Sequence, residues 1–378
     1  MAGGPSGVPA SSHARVPEAE PEAEVMRKPV TAAPDPAGLR ALRAAAPADE
    51  DTHTLALRHG LPEGAFVAAG IGHGATAIRA HPDDVIPQLA RLGDLLAVTR
   101  APGCRLERLG QYRNYNSGKH AQIVLDPAID LRIFGQHWVH GFALEEALPG
   151  GGTRRSVQVF DAAGDPVHQV YLPEGADPAA FEALRDALAL PEQDAAPQFG
   201  PRVPPAPARA EPANRDELLR RWAAMTDTHQ FQGILKKCGM NRLGANRLAG
   251  APWSVPKAAG SVQVALHLAS VSEIPVMIFS GNMGCIQISS GVPQDIEDDG
   301  PWLRIRDAGA RMDLRTDRLA EIWQVTKPTA TGPAVSLEAF DGDGALVLQI
   351  FAWRRDRPGD AWNALVDALP RPAMEAAQ

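Results

Sequence analysis

A single histidine, His229, stands in the segment TDTHQF, directly before a stretch with helical spacing. Thr226 or Asp227 can cap that helix by accepting a backbone N–H, which places His229 in or beside its first turn. The positive end of the helix dipole disfavours a cation there and favours the neutral imidazole, the form that ligates a transition metal. The segment therefore predicts either a polar surface residue or a metal ligand.

The residues around His229 do not indicate a metal site built by the protein alone. The sequence has no HExxH or CxxC motif, and no cluster of histidines and carboxylates accompanies this histidine. A metal bound in a porphyrin requires fewer protein ligands, because the macrocycle fills the equatorial positions and the protein adds one axial ligand. One histidine is sufficient for that chemistry.

Composition and charge exclude several classes of protein. The chain has 378 residues, of which 44% are hydrophobic and 22% charged, as in ordinary globular proteins. No apolar run reaches the ~18 residues of a membrane span, and the first residues lack the features of a secretion signal, which together predict a cytoplasmic protein that is not membrane-embedded. The net charge of −8 argues against a nucleic-acid partner. Three scattered cysteines, Cys104, Cys238 and Cys285, are expected to be buried thiols.

The chain divides into four predicted segments. Residues 1–36, rich in Ala, Pro, Glu and Gly, are expected to form a disordered tail. Residues 37–190 form an N-terminal repeat, in which helical spacing at GLRALRAAA and DDVIPQLARLGDLLAV gives way to strands such as AQIVL and SVQVF. Residues 191–213 are proline-rich and form an extended linker. Residues 214–370 form a C-terminal repeat that contains His229.

The second half of the sequence repeats the first. SVQVFDAAGDPVHQVY, at 156–171, aligns without a gap with SLEAFDGDGALVLQIF, at 336–351, and Trp138 has a counterpart in Trp323. A duplication explains this pattern, because shared turn positions and hydrophobic register do not arise from composition alone. We predict an α+β fold of two tandem structural repeats, each with a helical region and a large antiparallel β-sheet, and a ligand cleft between them.

Segments in both halves carry a resemblance to a known family. They are WAAMTDTHQFQGILKKCGMNR, VMIFSGNMGCIQISSG, GPWLRI, WQVTKPTATG and SLEAFD in the second half, and HAQIVLDPAIDLRIFGQHW and SVQVFDAAGDPVHQVYL in the first. Over roughly residues 85–370 the chain resembles the HemS/ChuS-like family of haemin-degrading and haem-trafficking proteins of bacterial haem uptake. The resemblance implies haem b (iron protoporphyrin IX) as the ligand of the cleft.

The same resemblance implies roles on the two sides of the haem. His229 matches the proximal ligand of the iron, and Arg132 in IDLRIF matches an arginine on the distal side, so that both are candidate catalytic residues. A guanidinium is permanently cationic and can donate hydrogen bonds to an oxygen ligand of the iron. A strand residue that faces solvent or forms an ion pair is the alternative for Arg132.

Further positions match residues of the family's haem pocket. Arg242, Lys327 and Arg354 match basic residues, and haem propionates require cationic partners when they are buried. Phe351 stands where the family has a tyrosine and offers apolar contact to the porphyrin without a hydroxyl. Each of the three cations is otherwise an ordinary surface residue.

Some positions depart from the family pattern. Leu106 stands where some relatives have a histidine, which puts a second haem site in doubt. Met283 and Thr326 stand where relatives often have arginine, which lowers the local positive charge. His137 and His140 follow Arg132 and are candidates for the distal side, with a core or surface role as the alternative.

Two functions agree with these residues. The first is an enzyme that opens imported haem oxidatively and releases iron, with electrons from an external reductant. The second is a non-enzymatic chaperone that receives haem after import through an uptake transporter and passes it to a separate haem oxygenase. A nucleic-acid-binding or regulatory protein is a third hypothesis, which the acidic composition disfavours. We favour haem degradation.

Overall fold

The computed structural model describes residues 34–148, 151–307, 309–353 and 359–373. The tail predicted for residues 1–36 lies outside the described residues except for its last three positions, and the first helix begins at Pro36. The helices are α1 (Pro36–Ala45), α2 (Thr52–His59), α3 (Glu63–Ala68), α4 (Pro82–Leu89), α5 (Pro178–Leu188), α6 (Arg215–Ala223), α7 (Gln230–Lys237), α8 (Arg242–Ala249), α9 (Ser261–Val271) and α10 (Asp360–Ala368).

The strands follow the same chain order. They are β1 (Ala75–Ile78), β2 (Leu95–Ala101), β3 (Cys104–Gly110), β4 (Gln122–Leu125), β5 (Asp130–Ile133), β6 (His140–Ala147), β7 (Thr153–Phe160), β8 (Pro166–Tyr171), β9 (Ser254–Lys257), β10 (Val276–Gly281), β11 (Cys285–Gly291), β12 (Ile296–Asp299), β13 (Trp302–Asp307), β14 (Ala310–Arg315), β15 (Leu319–Lys327), β16 (Ala334–Asp341) and β17 (Leu346–Ala352). Within the described residues, none of the helices is both long and apolar enough to cross a membrane.

The order of elements is repeated along the chain. Three helices, a short strand and a fourth helix are followed by a series of strands and a closing helix, first from α1 to α5 and again from α6 to α10. The strand series of the second half has one strand more than that of the first. Helices and large antiparallel sheets thus recur in tandem, which confirms the predicted α+β fold of two repeats.

The chain folds into two compact units that do not follow this sequence order. The first unit contains the residues up to Leu96 together with His137–Pro201, and the second contains Ala97–Gln136 together with the residues from Arg202 onward. Strands β3, β4 and β5 precede the linker in sequence but therefore belong to the unit that contains the second half of the chain. Arg132, on β5, and His229 consequently lie in the same unit.

The first unit is built on the antiparallel strands β1, β6, β7 and β8, hydrogen-bonded in that order. Helices α1 to α3 pack around Leu55, Leu61 and Phe66, which are buried. Phe199, from the proline-rich segment, packs against this cluster. Residues 191–211 contain no helix or strand.

The second unit contains an eight-stranded antiparallel sheet with the order β4-β5-β11-β10-β17-β16-β15-β9. Side chains alternate between its two faces, because successive residues of a strand point in opposite directions. Helices α9 and α10 belong to the core of one face, with Leu337 and Ile350. Helices α6 to α8 pack on the other face against Trp323 and Phe340. That second face also carries Met277, Phe279 and Phe351, which are half-buried.

The duplicated hairpin predicted from the sequence is present in both units. β7 and β8 pair Ser156 with Tyr171 and Gln158 with Gln169, with an irregularity after Val159. β16 and β17 reproduce this register residue for residue, with the irregularity after Ala339. Both turns place a glycine, Gly164 or Gly344, at positive φ. The aligned segments thus fold into the same structure.

Candidate functional site

His229 lies at the start of helix α7, where it occupies the N-cap position. Its side chain is 91% exposed. Oδ1 of Asp227 accepts hydrogen bonds from the backbone N–H of His229, at 2.7 Å, and from its Nδ1, at 2.6 Å. The backbone hydrogen bond and then the ring hydrogen bond hold the pKa of Asp227 below its ordinary value. Because Nδ1 donates to a carboxylate, Nε2 is the ring nitrogen left to bind a ligand.

The turn that carries His229 is fixed by hydrogen bonds on both of its sides. Thr226 donates its backbone N–H to Oε1 of Gln230 at 3.0 Å, and Gln230 Nε2 lies 3.3 Å from the hydroxyl of Thr226. The carbonyl of Thr226 accepts from the backbone N–H of Ala330 at 2.9 Å, in the loop between β15 and β16. The DTHQF and TKPTATG segments, separate in sequence, therefore meet in one structure.

A buried ring next to this turn contacts two of the predicted cations. Phe231 is buried on α7, two residues after His229. Nζ of Lys327 lies 4.8 Å from the centroid of the Phe231 ring, and the guanidinium carbon of Arg242 lies 5.4 Å from it. Both distances permit cation–π attraction. Lys327 also lies 5.7 Å from the ring of Phe351, so that this lysine is placed between two phenylalanines.

Both cations form ion pairs with one fully buried carboxylate, that of Glu338 on β16. The hydrogen-bond donors to Glu338 come from helix α8 and from strands β15, β16 and β17; they are Lys327 Nζ (2.6 Å), Gln349 Nε2 (2.7 Å), Arg242 Nη1 (3.0 Å), Ser336 Oγ (3.2 Å) and Asn246 Nδ2 (3.3 Å). Two cations and one anion leave this cluster with one net positive charge. We call these six residues the Glu338 cluster.

Burial and charge act in opposite directions on the pKa values of this cluster. Burial alone would raise the pKa of Glu338, but Lys327 and Arg242 outweigh it and lower the value to about 2. Burial lowers the pKa of Lys327 to about 8, against the attraction of Glu338 and together with the repulsion of Arg242. The asymmetry arises because Glu338 has two cationic partners, whereas Lys327 shares its single anion with Arg242.

Phe351 lies on β17 beside a second aromatic ring. It contacts Phe279 of β10 edge to face, with 5.4 Å between the ring centroids. Met277 is paired with Phe351 across the strands, and all three side chains are only partly buried. They form an apolar patch of the sheet face, next to the Glu338 cluster.

Arg132 lies on β5 and points to the same face of the sheet. It is paired with Ile286 on β11, which is paired with Gly281 on β10, and Phe279 follows on the same face two residues away. The Arg132 side chain is partly exposed and forms an ion pair with Asp130. Its Nη1 also donates to the carbonyl of Leu131 at 3.1 Å. The structure thus shows the ion pair that the sequence left as an alternative, on the face that also carries Phe351.

The remaining predicted positions are dispersed. Arg354 lies outside the residues that the structure describes. Met283 is 71% exposed, and Leu106 is buried in a core cluster. His137 and His140 belong to the first unit, where the ring of His140 packs edge to face against Phe199 at 4.8 Å. Burial lowers the pKa of His140.

Two carboxylates of this region were not assigned these roles from the sequence. Asp227 was considered only as a helix cap, and Glu338 only as part of the SLEAFD segment. A signal for Glu338 exists, since a charged residue on a strand of otherwise buried residues must find partners. The sequence contains no comparable signal for the ring contact of Asp227. In the described residues, no group of three or more His, Cys, Asp or Glu side chains is placed to hold a metal ion.

Known proteins resemble this chain over most of its length. Hemin transport protein HmuS of Yersinia pestis is 33% identical over 304 residues, which cover 80% of this chain and 87% of HmuS. The crystal structure of holo-PhuS, a heme-binding protein from Pseudomonas aeruginosa, superimposes with a TM-score of 0.83 at 36% identity and covers 89% of this chain and 99% of PhuS.

A third relative is ChuS of Escherichia coli O157:H7, described as a heme degrading enzyme. Its structure superimposes with a TM-score of 0.78 at 27% identity and covers 88% of this chain and 97% of ChuS. The sequence model of the haemin-degrading HemS.ChuX domain matches the chain twice, at residues 60–188 and 239–369. Each match lies within one of the two tandem repeats. The chain therefore belongs to the haemin-degrading HemS.ChuX family.

Proposed function

We propose that the second unit binds haem b, with Nε2 of His229 as the axial ligand of the iron. The observation that carries this proposal is the arrangement of the ring: it is 91% exposed, and its Nδ1 is held by Asp227. A haem iron needs a histidine nitrogen that is both accessible and unprotonated. The relative PhuS, a heme-binding protein with a solved holo structure, supports haem as the ligand.

The surrounding residues fit the rest of a haem molecule. The half-buried rings of Phe279 and Phe351 offer apolar contact to a flat macrocycle. The Glu338 cluster carries one net positive charge, and its Arg242 and Lys327 would attract the propionates. Arg354 is proposed for the same role from its sequence position.

We further propose that the protein degrades imported haem in the cytoplasm and releases its iron. Haem itself supplies the redox chemistry, with dioxygen as oxidant and electrons from an external reductant. The chain holds the iron through His229 and presents N–H donors from Arg132, a cation on the same sheet face as Phe351. Arg132 would exchange part of its contact with Asp130 for a hydrogen bond to the oxygen ligand. The description of ChuS as a heme degrading enzyme supports this function.

A haem chaperone is the second candidate function. The exposure of His229 favours it, because an acceptor protein can reach a solvent-facing axial ligand and displace it directly. The name of the relative HmuS, a hemin transport protein, points in the same direction. The partners in this case are a haem-uptake transporter and a separate haem oxygenase.

The first experiment tests haem binding through His229. Haemin is titrated into the wild type and into the variants His229→Ala and His267→Ala, with the Soret band as the readout. His267 is a matched control, because it also forms an exposed pair with an aspartate, Asp298, at 2.6 Å in the same unit. We expect His229→Ala to weaken haemin binding by more than about 100-fold. Loss of the iron ligand itself should cost more than loss of a residue that only contacts the ligand, which lowers metal affinity by about 10- to 100-fold. Equal binding by all three proteins would refute the proposal.

The second experiment separates degradation from transfer. The haem complex is mixed with ascorbate in the presence of catalase, and the Soret band and the tetrapyrrole products are followed. An enzyme bleaches the band and yields a linear tetrapyrrole and iron, and Arg132→Ala should slow this loss without abolishing binding. A stable spectrum, with haem passing to an added haem oxygenase, would instead establish the chaperone.

A further inference from the structure

We propose that Asp227 is a positioning residue for the iron ligand: its carboxylate fixes the orientation of the His229 ring and strengthens Nε2 as an electron donor. This inference rests on the proposed function, because it assigns Asp227 a part in the same haem site. The role of Asp227 concerns the strength of the iron–nitrogen bond and not whether the bond forms.

The contact geometry determines the orientation of the ring. A single atom, Oδ1 of Asp227, accepts from the backbone N–H of His229 at 2.7 Å and from its Nδ1 at 2.6 Å. The backbone N–H fixes the carboxylate relative to the main chain, and the carboxylate then fixes the ring. The hydrogen bonds of Thr226 with Gln230 and Ala330 hold the main chain itself in place. The protonated nitrogen is therefore Nδ1, and the lone pair belongs to Nε2.

Stabilisation of the turn does not account for the ring contact of this carboxylate. The side chain of the N-cap residue, His229, makes no capping hydrogen bond, and the backbone amide that Asp227 satisfies is that of His229 itself. The pair with His229 is exposed on both sides, at 91% and 57%, and exposed ion pairs contribute little to stability. The carboxylate of Asp227 instead fixes the orientation of the His229 ring.

The negative charge of a carboxylate next to Nδ1 changes the basicity of Nε2. Carboxylates that accept from the second nitrogen of a metal-bound histidine fix its tautomer and raise its basicity. A more basic nitrogen favours ferric over ferrous iron, because the ferric ion carries the higher charge. The proposal therefore predicts effects on the strength of the iron–nitrogen bond and on the reduction potential.

Two substitutions separate charge from geometry. Asp227→Asn keeps an oxygen acceptor for both N–H groups but removes the negative charge, and Asp227→Ala removes both. Asp194→Asn is the matched control, since Oδ1 of Asp194 accepts from the amide two residues on, Ala196, at 2.8 Å without a histidine. All variants are first compared with the wild type by circular dichroism. The readouts are the iron–nitrogen stretching frequency of the ferrous complex, the reduction potential and the affinity for ferric haem.

We expect Asp227→Asn to lower the stretching frequency and to make the reduction potential more positive, while Asp194→Asn leaves both unchanged. Asp227→Ala should in addition weaken ferric haem binding by about 10- to 100-fold. If both Asp227 variants keep the wild-type frequency and potential while His229→Ala loses the ligand, the role of Asp227 is refuted and the proposed function stands. If the wild type itself shows no iron–histidine stretch, both proposals fail.

Discussion

At the scale of single residues, Glu338 is the counter-ion of the buried Lys327 and of the half-buried Arg242. Replacing it by glutamine leaves the buried ammonium of Lys327 without a counter-ion. Removing one partner of a buried ion pair costs about 3–5 kcal/mol, so Glu338→Gln should lower the free energy of unfolding in urea by that amount. The double variant Glu338→Gln/Lys327→Met should recover part of the loss. Additive effects of the two substitutions would contradict the pairing.

The buried histidine His168 should make the free energy of unfolding depend on pH. It is buried on β8 near Trp138, and burial lowers its pKa to about 3, from an ordinary value of 6.5. Between these two values the unfolded chain binds a proton that the folded chain does not, so stability is lost as the pH falls from 6.5 towards 3. The slope is at most about 1.4 kcal/mol per pH unit.

Urea unfolding between pH 4.5 and 7 measures this contribution. This range lies above the acid titration of Glu338, whose pKa is lowered to about 2 by its two cations. His168→Gln should flatten the pH dependence, whereas His59→Gln, at an exposed position, should leave it as in the wild type. Parallel curves for all three proteins would show that His168 does not become protonated on unfolding.

The sequence indicated the cations of the candidate site but not their partners. Residue type and resemblance indicate His229, Lys327 and Arg242 as candidates, because charge and ligand chemistry are properties of the residue itself. The contact of Lys327 with Glu338 depends on the register of β15 and β16, which places Lys327 opposite Ala334 on the face that Glu338 shares. Register is a tertiary property, and it follows from the hairpin rather than from composition.

At the scale of elements, strands with strong β propensity were predicted correctly, whereas mixed segments were not. AQIVL and SVQVF contribute β4 and β7 as expected. The helical interpretation of DDVIPQLARLGDLLAV is wrong beyond α4, because β2 begins at Leu95. Gly93, with φ of 79°, adopts a conformation that a helix cannot continue. Short apolar runs such as LLAV do not distinguish a strand from a buried helix by their spacing alone.

Two helical glycines give a matched test of how the linker packs on α8. A Cβ at Gly244 would lie 1.9 Å from the carbonyl oxygen of Arg209, a backbone atom that cannot move aside. Gly244→Ala should therefore destabilise the protein by about 1–3 kcal/mol through overpacking. A Cβ at Gly233 on α7 would meet nothing within 4 Å, and Gly233→Ala should stabilise by about 0.5–1 kcal/mol. Denaturant unfolding of both variants measures the difference. Effects of the same sign would show that the linker does not lie against α8.

At the scale of the whole molecule, the two repeats have the same hairpin but different charges. In the first unit Gln158 occupies the place of Glu338, and a buried acid, Glu63 of α3, lies nearby. Gln169 donates to Glu63 at 2.7 Å and to Gln158 at 3.0 Å. In place of the lysine–glutamate pair, the first unit therefore has two amides and the ring of His53, whose Nδ1 lies 2.8 Å from Glu63, around one carboxylate. The duplication preserved the backbone, while the side chains that could attract propionates are present in one copy.

The same asymmetry predicts one tight haem site in each chain. The first repeat carries the same Asp-Thr-His sequence at 51–53, but the side chain of His53 is only 18% exposed and its Nδ1 pairs with the buried Glu63 at 2.8 Å, whereas His229 is 91% exposed. By hairpin register, Glu146 on β6 stands where the second repeat has Lys327. A half-buried imidazole held by Glu63 is less accessible to a haem iron than His229, and a carboxylate in place of Lys327 does not attract a propionate. Haemin titration of the wild type should therefore end at about one equivalent per chain, as expected for one axial histidine. His229→Ala should then show no remaining tight phase, and a second equivalent that survives this substitution would place a haem site in the first repeat.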